Sequence, residues 1–88
     1  FTPDNNLINP IFIPTLVGIN DNDYQFIIYN RWGSIIFKTN SKNQGWDGNF
    51  QSIPAPIGVY YYHLSFSYYN EKGIIIKENK NGTIQLLR

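Results

Sequence analysis

The one histidine and the six acidic residues are the side chains with which this chain could carry out catalysis. His63 stands in the middle of an apolar, strand-like run, where acid–base chemistry or metal binding would require partners from neighbouring strands. No spacing in the sequence supplies such partners, and no Ser, Thr or Lys has an identifiable base beside it. The absence of Cys excludes thiolate chemistry. We therefore predict no catalytic residue and no enzymatic activity.

Two short runs bring oxygen atoms close together, as a calcium site requires. They are residues 21–23, with the sequence Asp-Asn-Asp, and residues 4–6, with the sequence Asp-Asn-Asn. Neither run continues into the longer ligand pattern of a dedicated calcium loop. We interpret both as solvated turns in which Asn and Asp side chains bond the local backbone. Gly45 and Gly48 also lack the pattern of a phosphate loop, so we predict neither a metal nor another cofactor.

The run Trp46-Asp47-Gly48 has a structural interpretation. Trp46 is large enough to cap the end of a β-sandwich, and Asp47 can accept backbone N–H groups across its own turn. Gly48 can adopt the positive φ that such a turn needs. We therefore expect a buried Trp46 and a hydrogen-bonded Asp47.

Clustered tyrosines leave two interpretations open. One is a platform for sugars, which would make the chain a carbohydrate-binding or adhesive module. The other is a strand in which each ring is buried and each hydroxyl reaches the rim of the core. The sequence favours the second interpretation. The residues concerned are Tyr60, Tyr61, Tyr62, Tyr68 and Tyr69.

Short alternating segments, interrupted by Gly, Pro and Asn, are the elements that must position these residues. We predict strands at residues 8–13, 24–30, 35–39, 59–68, 74–78 and 83–87, with residues 16–20 as a candidate seventh. Residues 40–53 are expected to form a polar loop. Asn81-Gly82, within residues 79–82, is a hairpin signal.

The pattern predicts an all-β fold, an immunoglobulin-like antiparallel β-sandwich of six to seven strands. One face of each central strand should be apolar, and the face that carries Tyr61, His63, Ser65 and Ser67 should meet solvent. The expected core residues are Phe26, Ile28, Tyr60, Tyr62, Leu64, Ile84 and Leu86.

Length and charge limit the possible partners. Residues 1–88 suffice for one domain. The net charge of +1 argues against binding to nucleic acid or anionic lipid, and no apolar run approaches the about 18 residues that direct membrane insertion requires. Because the chain has no Met and opens inside a motif, we expect it to be part of a longer protein.

Five motifs follow one another in order along essentially the whole chain. They are Phe1-Thr2-Pro3, Phe26-Ile27-Ile28-Tyr29-Asn30-Arg31-Trp32-Gly33, Trp46-Asp47-Gly48, Pro56-Ile57-Gly58-Val59-Tyr60-Tyr61-Tyr62 and Gly82-Thr83-Ile84-Gln85-Leu86-Leu87-Arg88. In this combination the chain resembles the gliding-motility-associated C-terminal domain, the type B sorting domain of type IX secretion cargo in the Bacteroidota. The family's opening segment normally contains two glycines that residues 1–10 lack.

The resemblance implies a C-terminal signal that directs a large cargo, such as an adhesin, across the outer membrane. The implied partners are an outer-membrane barrel protein and the translocon components of type IX secretion. The implied route runs through the periplasm to the cell surface or the medium. Gly58 and Tyr60 join Trp46, Asp47 and Gly48 as residues of structural motifs.

Docking candidates come from the residues themselves. Arg31 and Trp32 are residue types that anchor interfaces. Lys77 guards an expected edge strand, and Leu87 and Arg88 end a terminal strand that no later residue of the chain covers. We predict that these five residues contribute to docking.

Overall fold

The computed structural model describes residues 12, 14 and 18–87. Its strands are β1 Ile19–Tyr29, β2 Ile35–Thr39, β3 Asn49–Phe50, β4 Ile53–Pro54, β5 Gly58–Tyr69 and β6 Ile75–Leu86. Neighbouring strands are antiparallel throughout. None of the described residues belongs to a helix long and apolar enough to cross a membrane. The predicted class, an all-β immunoglobulin-like sandwich of six to seven strands, is confirmed, and the described residues form six strands.

The main sheet has four strands in the order β2-β1-β5-β6, and β3 and β4 pair separately. Alternate residues of β1, β5 and β6 point into the core, as the period of a strand requires. Of the expected core residues, only Tyr62 is half-buried instead of buried.

Tyr24 is a core residue that the sequence analysis does not name. Its burial raises the pKa of its hydroxyl, which has no hydrogen-bond partner among the described residues. The core includes Tyr24, Phe26, Ile28, Trp46, Ala55, Tyr60, Leu64, Phe66, Ile84 and Leu86.

The second layer of the sandwich is small. Phe12, the one described residue of the strand predicted at residues 8–13, pairs with Trp46 through two backbone hydrogen bonds. The polar loop predicted at residues 40–53 is wrong in part, because it contains β3 and the start of β4. Gln51 and Ser52 turn between these strands with φ of 53° and 68°. Turns with positive φ normally contain glycine. Here neither turn residue is glycine, so the sequence pattern does not predict the turn.

β1 begins at Ile19 instead of the predicted residue 24. It includes residues 19 and 20 of the candidate seventh strand, whose residues 16–17 lie outside the described part. The pairing of β1 with β5 is irregular between Asn20 and Gln25. The solvated turn predicted at residues 21–23 is therefore wrong: this run is an irregular part of a strand. Asp23 accepts a hydrogen bond of 2.7 Å from the Ser67 hydroxyl. Ser67 is buried, so the prediction that it meets solvent is wrong.

The hairpin turn predicted at residues 79–82 is also wrong. β6 continues through this segment and pairs with β5 over its whole length. Asn79 and Asn81 use their side-chain oxygens across the sheet, toward Ser65 and His63. Gly82 lies opposite Tyr62, whose ring occupies the space of a missing side chain, since a Cβ at Gly82 would come within 2.5 Å of that ring. The glycine thus serves close packing instead of a turn.

Gly82→Ala should destabilise the domain by about 1–3 kcal/mol, because the added methyl group overpacks the sheet against the Tyr62 ring. Urea denaturation of both proteins would measure the difference. Thr83→Ala, an exposed change one residue further on, should stay within about 0.5 kcal/mol. In the background Tyr62→Ala, which removes the ring, Gly82→Ala should lose most of its cost. An equal cost in both backgrounds would show that the ring is not the cause.

Candidate docking surface

A groove of about 480 Å³ opens at one end of the main sheet. Three segments form it: the turn that joins β1 to β2, Phe50 of β3, and residues 55–60, which lead into β5. Several of its apolar side chains are exposed to solvent. These are Trp32, Phe50, Ile57 and Val59. Arg31 is the only charged residue among the described residues that line the groove.

Asn30 fixes the turn that carries Arg31 and Trp32. Its side-chain oxygen accepts the N–H groups of Trp32, at 3.0 Å, and Ser34, at 2.9 Å. The Asn30 backbone carbonyl accepts the N–H of Gly33, which has φ of 84°. Only glycine adopts such a φ without steric cost. The side chains of Arg31 and Trp32 take no part in these hydrogen bonds and point outward.

The turn between β5 and β6 has the same structure. The side-chain oxygen of Asn70 accepts the N–H groups of Lys72 and Ile74, both at 2.9 Å. Gly73, with φ of 75°, donates to the carbonyl of Asn70. Here Glu71 and Lys72 occupy the two outward positions. The turn therefore does not require Arg and Trp, and their presence in the first turn needs another reason.

Arg31 and Trp32 form a stacked pair on the surface. The guanidinium carbon of Arg31 lies 4.3 Å from the centre of the Trp32 ring, and Trp32 is 73% exposed. An exposed cation–π contact contributes only about 0.5–1 kcal/mol, so the stacking itself adds little to the stability of the fold. Both residue types are enriched among the anchors of protein interfaces. The arrangement is thus suited to a partner with an apolar side chain beside an acceptor or a carboxylate.

The Trp46-Asp47-Gly48 motif supports one wall of the groove. The expected burial of Trp46 is confirmed, as it is 0% exposed, and the Asp47 carboxylate accepts the N–H of Asn49 at 3.0 Å. Trp46 donates its indole N–H to the Asn49 carbonyl at 3.0 Å. Gly48, with φ of 83°, accepts the N–H of Ala55. These bonds hold the β3–β4 hairpin where Phe50 lines the groove.

Tyr60 and Gly58 fix the segment before β5, which also lines the groove. The Tyr60 ring meets Trp46 edge to face, with centroids 5.0 Å apart. Its hydroxyl donates to the carbonyl of Pro56 at 2.5 Å. Gly58 has φ of 144° and pairs with Leu86 of β6. The segment before β5 is therefore held against the core, and Ile57 and Val59 are left exposed.

The five docking candidates do not all lie together. Leu87 follows Leu86, which pairs with Gly58 of the groove, so it lies at the same end as Arg31 and Trp32. Lys77 pairs with Ser67 near the other end of β5, about 33 Å from Leu87 along β6. Arg88 lies outside the described residues.

The apolar side chains that line the groove are not predicted by the sequence analysis. Phe50 lies in a predicted polar loop, and Ile57 and Val59 lie in a motif for which only a structural role is predicted. The available signal was the repeated Asn-x-x-Gly pattern at Asn30 and Asn70. The pattern marks the two segments as equivalent turns, and the comparison shows that Arg and Trp between Asn30 and Gly33 are unusual.

The tyrosines do not form a single platform. The ring of Tyr60 is buried in the core, and that of Tyr62 lies against Gly82. Tyr61 and Tyr69 are exposed but lie eight positions apart along β5, or about 27 Å. This separation gives no support to the carbohydrate-binding alternative.

His63 belongs to a polar network on the sheet face that points away from Trp46. One ring nitrogen lies 2.6 Å from the Asn81 side-chain oxygen, and the other lies 3.1 Å from the Ser65 hydroxyl. Ser65 also donates to Asn79 at 3.0 Å. Within the described part of the chain, no three His, Asp or Glu residues are grouped as a metal ion would require. The network joins β5 to β6 through side chains as well as backbone.

These observations define a small antiparallel β domain with an exposed Arg-Trp groove at one end. The family model of the type IX secretion signal domain matches residues 1–86, and the chain belongs to that family. The resemblance to a C-terminal sorting domain is thereby confirmed. A search of curated proteins and a search of solved structures gave no match.

Membership of the family assigns a secretion-signal role to the chain. The family is one of secretion signals and not of enzymes. The role implies interaction with the type IX secretion system and export to the cell surface or the extracellular space.

Proposed function

We propose that residues 1–88 form a single sorting domain that docks its cargo on the secretion machinery through the Arg31–Trp32 groove. The cargo is a larger surface or secreted protein, such as an adhesin. The partners are an outer-membrane barrel protein and components of the translocon, reached from the periplasm. The domain itself performs no catalysis.

The comparison of the two turns carries this proposal. Both have the same hydrogen bonds, but only one presents an aromatic and a cationic side chain beside an apolar groove. The folding of a turn does not select Trp32 at 73% exposure. Selection for binding does, since Trp and Arg are enriched among the few residues that carry most of the binding energy at interfaces.

A folded surface, and not a linear peptide, is the signal in this proposal. The groove takes residues from three segments between Asn30 and Tyr60. Only folding brings them together, at the end of the sheet where Leu87 also lies. A partner that binds this end of the sheet therefore recognises the tertiary structure and not a continuous stretch of sequence.

Fusion of the domain to a reporter with a signal peptide tests the sorting role. In a host with a type IX system, we expect the reporter in the medium or at the cell surface, and in a host without the translocon we expect it in the periplasm. The double variant R31E/W32K gives the first turn the residues of the second. It should retain the fold and reduce export at least about tenfold, because two interface anchors are lost. Arg31→Ala alone should weaken export less.

The matched control is the double variant E71A/K72A, which changes the equivalent positions of the second turn and should leave export intact. Thermal melting of each variant monitors the fold. Full export by R31E/W32K would refute the docking surface and leave the sorting role standing. Retention of the reporter in the periplasm with the intact domain would refute the sorting role.

A further inference from the structure

β6 forms one edge of the main sheet. It pairs with β5 over twelve residues on one side, and no described strand pairs with its other side. The opposite edge, β2, has only five residues. A long edge strand presents a row of backbone N–H and C=O groups that can pair with another chain. The segment from Ile75 to Thr83 belongs to this edge and carries three charged residues, Lys77, Glu78 and Lys80.

We propose that a second copy of this chain pairs antiparallel with β6, about a two-fold axis at Asn79. The result is a continuous sheet of eight strands, with four from each copy. This pairing is separate from the docking of the groove, which lies at the end of the sheet and not along its edge. Either can fail without the other.

The charges of the segment select the axis. A two-fold axis perpendicular to the sheet passes beside one residue, which then faces its own counterpart. An axis at Lys77 or Lys80 brings two lysines together, and an axis at Glu78 brings two glutamates together. Directly opposed like charges are destabilising.

An axis at Asn79 instead places Glu78 of each copy opposite Lys80 of the other. The two-fold symmetry makes this attractive pair twice. Because neighbouring registers oppose like charges, the charges both favour this register and disfavour those beside it. No other axis within the segment pairs opposite charges directly.

The remaining opposed pairs are compatible with this register. Lys77 faces Asn81, and Ile75 faces Thr83. Asn79 uses its oxygen as an acceptor for Ser65, which leaves its amide N–H groups available for the Asn79 of the other copy. Ile75 is 41% exposed in the single chain, and its pairing with the methyl group of Thr83 covers part of it.

Charge reversal tests the proposal by sedimentation equilibrium of the chain over a range of concentrations. Glu78→Lys and Lys80→Glu each replace two attractive pairs by two repulsive pairs, and each should raise the dimer dissociation constant by about tenfold or more. The double variant E78K/K80E exchanges the charges and should restore dimerisation to within about threefold. Lys38→Glu, on β2, should change nothing. Circular dichroism confirms that each variant is folded.

Two single cysteines, placed in a chain that has none, test the register. Asn79→Cys places two thiols opposite each other and should form a disulfide-linked dimer under mild oxidation. Asn81→Cys places its thiols four positions out of register, about 13 Å apart, and should not. A chain that stays monomeric at all concentrations, or a dimer that is indifferent to charge reversal, would overturn the proposal. Equal cross-linking at both positions would do the same.

Discussion

Trp46→Ala should destabilise the domain by about 3–5 kcal/mol, the usual cost of truncating a large buried side chain. Trp46 is fully buried and meets the Tyr60 ring edge to face. The substitution also removes the indole N–H that donates to the Asn49 carbonyl. A domain possesses only about 5–15 kcal/mol in total, so a large share of the stability would be lost. Urea denaturation followed by circular dichroism measures the change.

The second tryptophan of the chain provides a matched control. Trp32→Ala deletes the same side chain from a position that is 73% exposed. It should alter stability by no more than about 0.5 kcal/mol, as surface substitutions generally do. If the two variants melted alike, Trp46 would not be the centre of the core, and the groove wall would need another support.

The core was predictable because a strand alternates its side chains between two faces. Phe26 and Ile28 in β1, and Leu64 in β5, are buried as the alternation requires. The turn of Trp46-Asp47-Gly48 was predictable for a local reason, since Asp bonds the backbone two residues further on. Both inferences depend only on neighbours in sequence.

Features that depend on distant residues were not predictable from one sequence. Asn81-Gly82 is typical of a hairpin turn, but Gly82 packs against the Tyr62 ring and Asn81 bonds His63, and both residues stay in β6. The strands β3 and β4 were missed because Gln51 and Ser52 adopt positive φ without glycine. In each case tertiary contacts override the local preference.

For the docking surface, the types of the residues indicated which of them could contact a partner, but their positions in the sequence did not indicate which lie together. Arg31 and Trp32 were singled out because their types are common at interfaces, and the structure places both beside a groove. Lys77 is a candidate because of its expected edge, and among the described strands β6 is an edge strand, but Lys77 lies far from the groove. Which candidates share one surface depends on strand order and register, and neither is encoded by local patterns.

Removal of residues 86–88 should abolish export by unfolding the domain. Leu86 is 0% exposed and pairs with Gly58 at the start of β5. Loss of a buried leucine costs about 2–5 kcal/mol, and the deletion also removes backbone pairing at the end of β6. We expect a melting transition that is shifted strongly downward or absent, and no detectable export of the fused reporter.

Two matched variants separate the fold from the terminal residues. Removal of residues 87–88 takes away Leu87, which is 47% exposed, and should leave the melting transition nearly unchanged. Export should then fall only severalfold, because the Arg31–Trp32 groove is intact. Leu86→Ala in the complete chain keeps the terminal residues and should lose stability and export together.

These variants also decide between a folded and a linear signal. If the terminal residues were read as a peptide, Leu86→Ala would still be exported after unfolding, and removal of residues 87–88 would abolish export from a folded domain. If the folded surface is recognised, Leu86→Ala loses export and removal of residues 87–88 reduces it only severalfold. Leu86 has the larger effect because it pairs with Gly58, in a segment that lines the groove. The physical reason is that a surface assembled from three chain segments exists only while the core that positions them is intact.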